Sequence, residues 1–309
     1  MKKISFICMA GLDQFIDPIV EGLSNDYIIR KFVVKTQQEI HNAIDWADII
    51  WLEWCNETAI IGTNYGGIKG KKVIIRLHRY EAFTNFPSQI IWKNVNCLIL
   101  VAPHMITVLE GIIPDIKKKV KIKIVYNGID LDKIPLQKRE AGFNIACVGF
   151  INYRKNPVMA LQILKKLADI NKRYKLHMAG LSQDNCLQAY MNYMVDEMNL
   201  QNNIKFYGWV DNIQDFWKDK NYLLHTSIHE SFGYAVFEGM ARGAKPIVHN
   251  FRGAKELYPK EAIFNIIDEA ADKIMSKDYN SSEYRDWIIK KGWTLENQLA
   301  QIKQITKEL

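Results

Sequence analysis

The chain has 309 residues, of which 48% are hydrophobic and 24% are charged, and its formal net charge is +7. This composition is typical of a globular protein with enough apolar residues for more than one core, so it excludes a disordered chain. The modest charge gives no reason to expect nucleic-acid binding, and no apolar run reaches the roughly 18 residues that a membrane-spanning helix requires.

Residues 1–140 are predicted to form the first domain, an α/β unit of the Rossmann type. Short apolar runs alternate with helical patterns, which is typical of a parallel sheet covered by helices on both faces. The predicted strands are Ile4–Met9, Tyr27–Val34, Ile49–Glu53, Lys72–Leu77, Cys97–Val101 and Lys121–Tyr126. The predicted helices are Phe15–Ser24, Gln37–Ala47 and Pro87–Trp92. The Asn127-Gly128 turn and the polar stretch 129–140 are interpreted as an interdomain linker.

The N-terminus and the cysteines both favour a cytoplasmic protein. Lys2 and Lys3 precede the first apolar run, but acidic residues follow at once without a cleavage site, which indicates a strand and not a signal peptide. The five cysteines form no Cys-x-x-Cys pair, and several lie in apolar runs. This is typical of small core residues in a reducing compartment.

Two charged segments of the first domain each leave two interpretations open. His78 follows a predicted strand together with Arg76, Arg79 and Glu81. It could donate to a sugar oxygen or position an acceptor, although a single histidine is more often structural. The lysine-rich segment 117–123 is either a solvated face or a surface for peripheral contact with anionic lipid or a phosphate-bearing acceptor.

Residues 141–291 are predicted to form a second domain of the same type, with the two domains facing a central cleft. Its predicted strands are Asn144–Val148, Lys175–Ala179, Ile204–Tyr207, Tyr222–Ser227 and Lys245–His249. The predicted helices are Val158–Ile170, Leu187–Met198, Ile213–Lys218 and Tyr234–Arg242, followed by a helical tail at Asp272–Ser276, Ser282–Lys291 and Thr294–Lys307. Asn156-Pro157 is a favourable helix start, with a capping side chain followed by Pro at the first helical position.

The segment 229–243 is the most informative part of the sequence. It places Glu230 and Glu238 around a Ser-Phe-Gly turn, after an apolar run and before a predicted helix. A turn that leads into a helix offers N–H groups and the positive end of the helix dipole to a phosphate. Carboxylates only accept hydrogen bonds, so they suit sugar and ribose hydroxyls. The segment therefore predicts a nucleotide-sugar site; the alternative is a buried strand–turn–helix with two solvent-facing glutamates.

Three other loops follow strands of the second domain, where ligands of parallel sheets bind. Arg154 and Lys155 come after Gly149 and could neutralise a diphosphate, or they are solvent-exposed cations before a helix. Gly180, after the next strand, and Val210, after Gly208-Trp209, are weaker candidates because most such loops contain glycine.

Dinucleotide and metal motifs are absent from the sequence. No Gly-x-Gly-x-x-Gly follows the first strand, and no Gly-Lys-Ser/Thr phosphate loop occurs. Asp130 and Asp132 have the spacing of a divalent-cation motif but stand in the predicted linker. His225 and His229 fall in a β-like run, where residues four apart are too distant for easy chelation. We therefore expect no metal.

The segment 121–257 resembles the retaining GT-B glycosyltransferases of family 4, also called glycosyl transferases group 1. The resemblance rests on Glu230 and Glu238 with Ser231-Phe232-Gly233 between them, and on the continuation from Gly239 to Val248. Further matches, in the family's order, are Val125–Asp130, Gly149 six residues before Lys155, and the Gly-x-x-Glu loop at 250–257. In residues 1–120 the resemblance rests mainly on His78.

The resemblance implies a hexosyltransferase that acts with retention and without cofactor or metal. Glu230 should bind donor-sugar hydroxyls, Lys155 should hold the diphosphate, and His78 should lie near the reacting sugar. Glu238 should bind ribose, and the backbone around Phe232, Gly233, Tyr234 and Ala235 should meet the sugar and diphosphate. The donor is a nucleoside-diphosphate sugar, and the acceptor is a glycan or lipid-linked saccharide. The helix within 292–309 should cross back to the first domain.

The sequence departs from the family pattern at two candidate sites. Phe150 stands where the family has an arginine after the glycine, and Arg154 is the candidate to supply that charge. The acceptor-side glycine loop is reduced to Gly11, with Arg76 and Arg79 as further acceptor-side candidates. The alternatives are a non-catalytic sugar-nucleotide-binding protein, or a GT-B sugar-nucleotide epimerase or phosphorylase.

Overall fold

The computed structural model describes all 309 residues, which form two compact units. The first unit comprises Met1–Gly128 and Leu295–Leu309, and the second comprises Ile129–Thr294. The stretch 129–140, predicted as a linker, belongs to the second unit. Hydrogen bonds hold it there, because Arg285 donates to the carbonyls of Leu131 and Ile134 at 2.8 and 2.6 Å. The division of the chain thus falls 12 residues before the predicted boundary at 140.

The first unit is built on a six-stranded parallel sheet with strand order β2-β1-β3-β4-β5-β6. Its strands are β1 Lys3–Met9, β2 Ile28–Val34, β3 Ile49–Glu53, β4 Lys72–Leu77, β5 Cys97–Leu100 and β6 Lys121–Ile124. Its helices are α1 Asp17–Leu23, α2 Gln37–Trp46, α3 Glu57–Asn64, α4 His104–Glu110, α5 Ile116–Lys119 and the last helix, α13 Leu295–Lys307. Both faces of the sheet are covered, because alternate strand residues enter two separate buried clusters.

The second unit repeats this plan with strand order β12-β11-β10-β7-β8-β9. Its strands are β7 Asn144–Val148, β8 Lys175–Ala179, β9 Ile204–Gly208, β10 Tyr222–His225, β11 Lys245–His249 and β12 Ile263–Phe264. Its helices are α6 Pro157–Ile170, α7 Asn185–Glu197, α8 Ile213–Trp217, α9 Tyr234–Ala241, α10 Ala254–Leu257, α11 Ile267–Met275 and α12 Ser281–Lys291. None of the helices of either unit combines the length and the hydropathy needed to cross a bilayer.

Two local predictions were wrong. The predicted helix Pro87–Trp92 is instead a pair of 3-10 turns, Phe86–Gln89 and Trp92–Asn94, because the segment is too short to propagate an α-helix. Asn156 precedes Pro157 as expected, but it has a φ of 47° and its side chain does not cap α6. The side chain that accepts a backbone N–H in this loop is that of Asn152, from Lys155.

Helix α3 was missed, although the sequence contains its start signal. Asn56 accepts a hydrogen bond from the N–H of Thr58 at 3.1 Å and is the N-cap. The helix itself has small and β-branched residues and almost no amphipathic pattern, so periodicity alone could not find it.

Candidate functional site

The loops after β7 and β10 bring an acidic and a basic side chain together at the carboxyl edge of the second sheet. β7 and β10 are neighbouring strands, and the loops that follow them are joined by a hydrogen bond from the N–H of Ile228 to the carbonyl of Arg154 at 2.9 Å. Lys155 Nζ lies 2.6 Å from Glu230 Oε1. Two of the predicted site residues, 75 positions apart in the chain, therefore form one ion pair.

The ion pair is largely enclosed. The Glu230 side chain is 8% exposed and that of Lys155 is 21% exposed. Ser227 Oγ donates to Glu230 Oε1 at 3.0 Å, and His225 Nε2 lies 3.6 Å from the same oxygen. A charge in such a setting needs compensation, so a ligand that takes Lys155 must leave Glu230 with new hydrogen-bond donors.

Helix α9 begins beside this pair with an open N-terminus. Gly233, with a φ of 87°, precedes Tyr234, and no side chain caps the helix. A side chain at Gly233 would collide with the Tyr258 hydroxyl, 2.4 Å from the position of a Cβ. That hydroxyl donates to the carbonyl of Phe232 at 2.8 Å, so the turn is held by its own neighbours. The helix start therefore presents backbone N–H groups and a positive dipole end to the loop.

The remaining residues predicted in this segment occupy different environments. Phe232 is completely buried and packs against Phe237 with ring centroids 4.4 Å apart, so its side chain supports the turn and only its backbone faces the loop. Ala235 is half-buried in the first turn of α9. Glu238 lies one turn further, and burial raises the pKa of its carboxyl while Arg242 opposes that shift. Glu238 is thus a half-buried acceptor for hydroxyl groups.

Arg154 has one guanidinium nitrogen without a hydrogen-bond partner in the chain. Its Nη1 atom is buried and makes no hydrogen bond within the chain. A buried guanidinium nitrogen without an acceptor is costly, and a bound group that accepts its hydrogen bond is one way to remove that cost. Because Arg154 stands in the same loop as Lys155, that group is most simply an anion.

An apolar pocket of about 190 Å³ lies next to this loop, at the ends of β7, β8 and β9. Phe150 and Trp209 stand at it with ring centroids 6.4 Å apart, and they are 44% and 62% exposed. The pocket is lined by Val148, Gly149, Phe150, Ala179, Gly180, Trp209, Val210 and Ile213. It can accept a flat, largely apolar group between or against the two rings.

Gly180, a weaker candidate in the sequence, lies where two loops approach each other closely. Gly180 has a φ of 148°, and a Cβ there would lie 2.0 Å from the carbonyl oxygen of Gly149. The glycine is required by the close approach of two neighbouring loops. Gly149 and Gly180 therefore shape the pocket through the backbone.

In the first unit, His78 and Arg76 lie in a buried network at the ends of β3 and β4. His78 Nε2 is 2.6 Å from Glu53 Oε1, and Arg76 Nη1 is 3.2 Å from the same oxygen. Arg76 is 0% exposed and also donates to Asn127. A fully enclosed guanidinium with protein partners does not contact an acceptor directly, so the acceptor-side role of Arg76 stays a prediction that no contact supports.

The other two acceptor-side candidates are closer to the surface. Arg79 is half-buried in the loop after His78, and Gly11 is exposed with a φ of 80° and no atom within 4 Å of a Cβ position. The residue that sequence reasoning missed is Glu53. It was visible as the only charged residue of the apolar strand Ile49–Glu53, beside the strand that leads to His78.

Metal-binding geometry is not present at the candidate positions. No three residues among His, Cys, Asp and Glu are arranged to hold a metal ion. Asp130 instead pairs with Lys133 at 2.9 Å.

Ion pairs also compensate much of the lysine-rich segment 117–123. Lys117 pairs with Glu110 at 2.8 Å and Lys119 with Asp115 at 3.2 Å. Lys121 and Lys123 both approach Glu308, at 3.1 and 3.5 Å. The segment therefore has less free positive charge for an anionic surface than its sequence suggests.

Comparison with known proteins identifies a family that the chain matches. The model of the family described as glycosyl transferases group 1 matches residues 129–284, which is half of the chain and begins where the second unit begins. A protein of Klebsiella pneumoniae, described as an uncharacterized 41.2 kDa protein in the cps region, is 28% identical over 184 residues. That match covers 55% of this chain and 47% of the relative.

A second relative and a solved structure extend the comparison. The capsular polysaccharide biosynthesis glycosyltransferase CapH of Staphylococcus aureus is 25% identical over 149 residues, covering 47% of this chain and 42% of CapH. The chain spans about half the length of the curated relatives it matches. The crystal structure of Anabaena Alr3699/HepE in complex with UDP and glucose is similar with a TM-score of 0.79 at 14% identity, covering 100% of both chains. At this identity the structural likeness shows the fold alone.

Proposed function

The chain belongs to the family of glycosyl transferases group 1 and has the GT-B fold predicted from its sequence, and we propose that it transfers a sugar from a nucleoside-diphosphate sugar to a saccharide acceptor. The observation that carries this proposal is the Lys155–Glu230 ion pair beside the open start of α9. It places a cation that can bind phosphate and a carboxylate that can bind hydroxyls at hydrogen-bond distance from each other.

The diphosphate is proposed to bind Lys155, Arg154 and the first turn of α9. Lys155 already holds one carboxylate oxygen at 2.6 Å, and the buried Nη1 of Arg154 has no acceptor of its own. A diphosphate would compete with Glu230 for Lys155 and satisfy Arg154 by charge-assisted hydrogen bonds. The same cations and the helix dipole would stabilise the negative charge that develops on the leaving diphosphate.

Glu230 is proposed to bind the donor sugar. When the diphosphate takes Lys155, the carboxylate loses its cation and gains the ability to accept hydrogen bonds from sugar hydroxyls. Glu238, one turn into α9, is proposed to bind the ribose hydroxyls in the same way. This exchange of partners couples sugar binding to diphosphate binding.

The nucleoside base is proposed to occupy the 190 Å³ pocket beside Phe150 and Trp209. Base–aromatic stacking does not depend on a particular base, because every base has a π-face. This pocket therefore selects neither a particular base nor a particular sugar. UDP-sugars are the first donors to test, because HepE was crystallised with UDP and glucose.

A glycan or lipid-linked saccharide is proposed as the acceptor, and transfer is proposed to retain configuration without a metal. The acceptor class is supported by the relatives named for a capsular region and for capsular polysaccharide biosynthesis. Retention rests on the family resemblance. Metal independence is supported by the cations Lys155 and Arg154, which provide the positive charge that a divalent ion would otherwise supply.

The test is a two-step assay on the full chain. UDP-, GDP- and ADP-sugars are first screened for a rise in melting temperature, since a ligand that binds only the folded state stabilises it. The stabilising donor is then incubated with and without oligosaccharide acceptors, and the products are separated. A glycosylated acceptor is the expected result. An epimerised donor without an acceptor, or binding with no turnover, would replace the proposal by an epimerase or a binding protein.

A further inference from the structure

A buried network in the first unit connects the ring of His78 to Glu53. Glu53 ends β3 and His78 follows β4, and these paired parallel strands bring Glu53 Oε1 within 2.6 Å of His78 Nε2. Two more donors saturate the carboxylate: Arg76 Nη1 reaches Oε1 at 3.2 Å, and Trp51 Nε1 reaches Oε2 at 2.7 Å. The Glu53 side chain is 0% exposed, so it acts on other molecules only through His78.

The network decides which ring nitrogen of His78 carries hydrogen. Burial by itself would raise the pKa of Glu53, but the charges of Arg76 and His78 and the hydrogen bonds lower it overall. An ionised carboxylate only accepts hydrogen bonds, so the 2.6 Å contact requires hydrogen on Nε2. In the neutral ring Nδ1 is then an acceptor, and it makes no hydrogen bond within the chain.

The faces of the ring are held as well. Trp54 lies against His78 with ring centroids 3.9 Å apart, and Phe15 approaches at 5.4 Å. Trp54 has a φ of 76°, which a bulky residue rarely adopts, and its Nε1 donates to the carbonyl of Leu12 at 2.7 Å. The ring of His78 therefore has one orientation.

We propose that Glu53 is a positioning residue that fixes His78 as the Nε2–H tautomer, so that Nδ1 accepts a hydrogen bond from a hydroxyl of the saccharide acceptor. The inference rests on the proposed function, because a hydroxyl-bearing acceptor is its ligand. It also narrows the ligand class: a hydroxyl can donate to Nδ1, whereas an ionised phosphate cannot.

The first test needs no activity. Nitrogen-15 NMR of the full chain, with His78 assigned by the His78→Gln variant, reports which ring nitrogen carries hydrogen. The wild type is expected to show hydrogen on Nε2, and Glu53→Leu is expected to show a mixture of tautomers. Hydrogen on Nδ1 in the wild type overturns the proposal even if Glu53→Leu does not fold.

Glu81→Gln is the matched control. Glu81 is also fully buried, and its Oε1 accepts from the backbone N–H of His78 at 3.2 Å rather than from the ring. Of the two buried carboxylates that accept hydrogen bonds from His78, only Glu53 bonds to the ring. The tautomer is expected to stay unchanged in Glu81→Gln. A change as large as in Glu53→Leu would contradict a specific role for Glu53.

The second test is kinetic. Glu53→Leu should raise the acceptor KM or lower kcat by about tenfold or more and leave the donor KM unchanged. Glu53→Gln should lose less activity than Glu53→Leu, because the amide oxygen can still accept a hydrogen bond from Nε2–H of His78. In the His78→Ala variant, adding Glu53→Leu should cause no further loss of activity, because Glu53 then has no imidazole ring to position. Independent losses at the two residues overturn the proposal. A wild-type chain that transfers no sugar defeats the proposed function but leaves the tautomer result to decide this inference.

Discussion

The carboxyl edges of the two sheets have the same architecture, and each holds a buried glutamate paired with a cation, but the surroundings of the two pairs differ. At the edge of the first sheet, Glu53 is fully buried and accepts hydrogen bonds from Trp51, Arg76 and His78. At the edge of the second sheet, the Glu230–Lys155 pair lies beside an uncapped helix start and a buried Arg154 nitrogen without an acceptor. The comparison shows that neither buried charge nor a single unpartnered nitrogen identifies a ligand site, since Arg76 Nε at the first edge has no partner either. What distinguishes the second edge is a partly exposed ion pair beside an uncapped helix start.

Removing the charge of Glu230 should lower the rate of sugar transfer more than any other change. An unchanged rate would mean that the second edge is not the catalytic one. We expect Glu230→Gln to lower kcat by a factor of about 100 or more, since one interaction made to the reacting sugar is commonly worth that much. Initial rates of transfer measure it. Glu197→Gln, on the exposed side of α7, is the control that should keep wild-type rates. Equal rates for both variants would remove Glu230 from the mechanism.

Lys155→Met tests whether Lys155 leaves Glu230 to bind the diphosphate of the donor. We expect nucleoside-diphosphate affinity to fall by roughly 10- to 100-fold, since charge-assisted hydrogen bonds contribute about 1.5–3 kcal/mol. Calorimetric titration of the full chain measures the affinity. Lys165→Met, an exposed lysine of α6, should bind as the wild type does. Unchanged affinity in Lys155→Met would show that the diphosphate binds elsewhere.

Trp209→Ala tests whether the nucleoside base stacks on Trp209 in the apolar pocket. Stacking of one base on an aromatic ring contributes about 1–3 kcal/mol, so we expect at least about fivefold weaker donor binding. The same titration should show that binding of inorganic pyrophosphate, which has no base, is unaffected. A loss of equal size for both ligands would mean that Trp209 supports the loop and does not contact the base.

Much of the fold, and part of the site, could be predicted from the sequence. The strands were found because buried parallel strands are continuous apolar runs, and Glu230 and Lys155 were found because they match a family pattern. Glu53 is visible in the sequence as a charge in an apolar strand, but its role could not be predicted, since it depends on the pairing of β3 with β4 that brings Arg76 and His78 to it. Arg76 shows the same limit: the sequence shows a charge near the end of a strand but not which way its side chain points.

Chelation is expected to have no effect on transfer. Because Lys155 and Arg154 supply the positive charge near the diphosphate, excess EDTA should leave the initial rate within experimental error. Loss of activity that magnesium restores would contradict metal independence and reopen the acidic residues of the site to a role as ligands.

The smallest expected effect concerns stability and not catalysis. Burial, with Lys220 nearby, lowers the pKa of His177 from 6.5 to about 4. The unfolded chain therefore binds a proton that the folded chain does not between pH 6.5 and 4, and stability falls as the pH drops through this window. We expect a loss of about 1–2 kcal/mol at pH 5 relative to pH 7, measured by urea unfolding. His177→Gln should remove this part of the slope.

Titration of the full chain with UDP, GDP and ADP, followed by heteronuclear NMR, tests the central claim most directly. We expect at least one of the three to bind saturably, with the largest shifts at Phe150, Lys155, Trp209 and the first turn of α9. Little change is expected around Lys175, which begins β8 at the opposite edge of the sheet. If all three nucleotides leave those signals in place at millimolar concentration, the second unit is not a donor site and the proposed transfer must be abandoned.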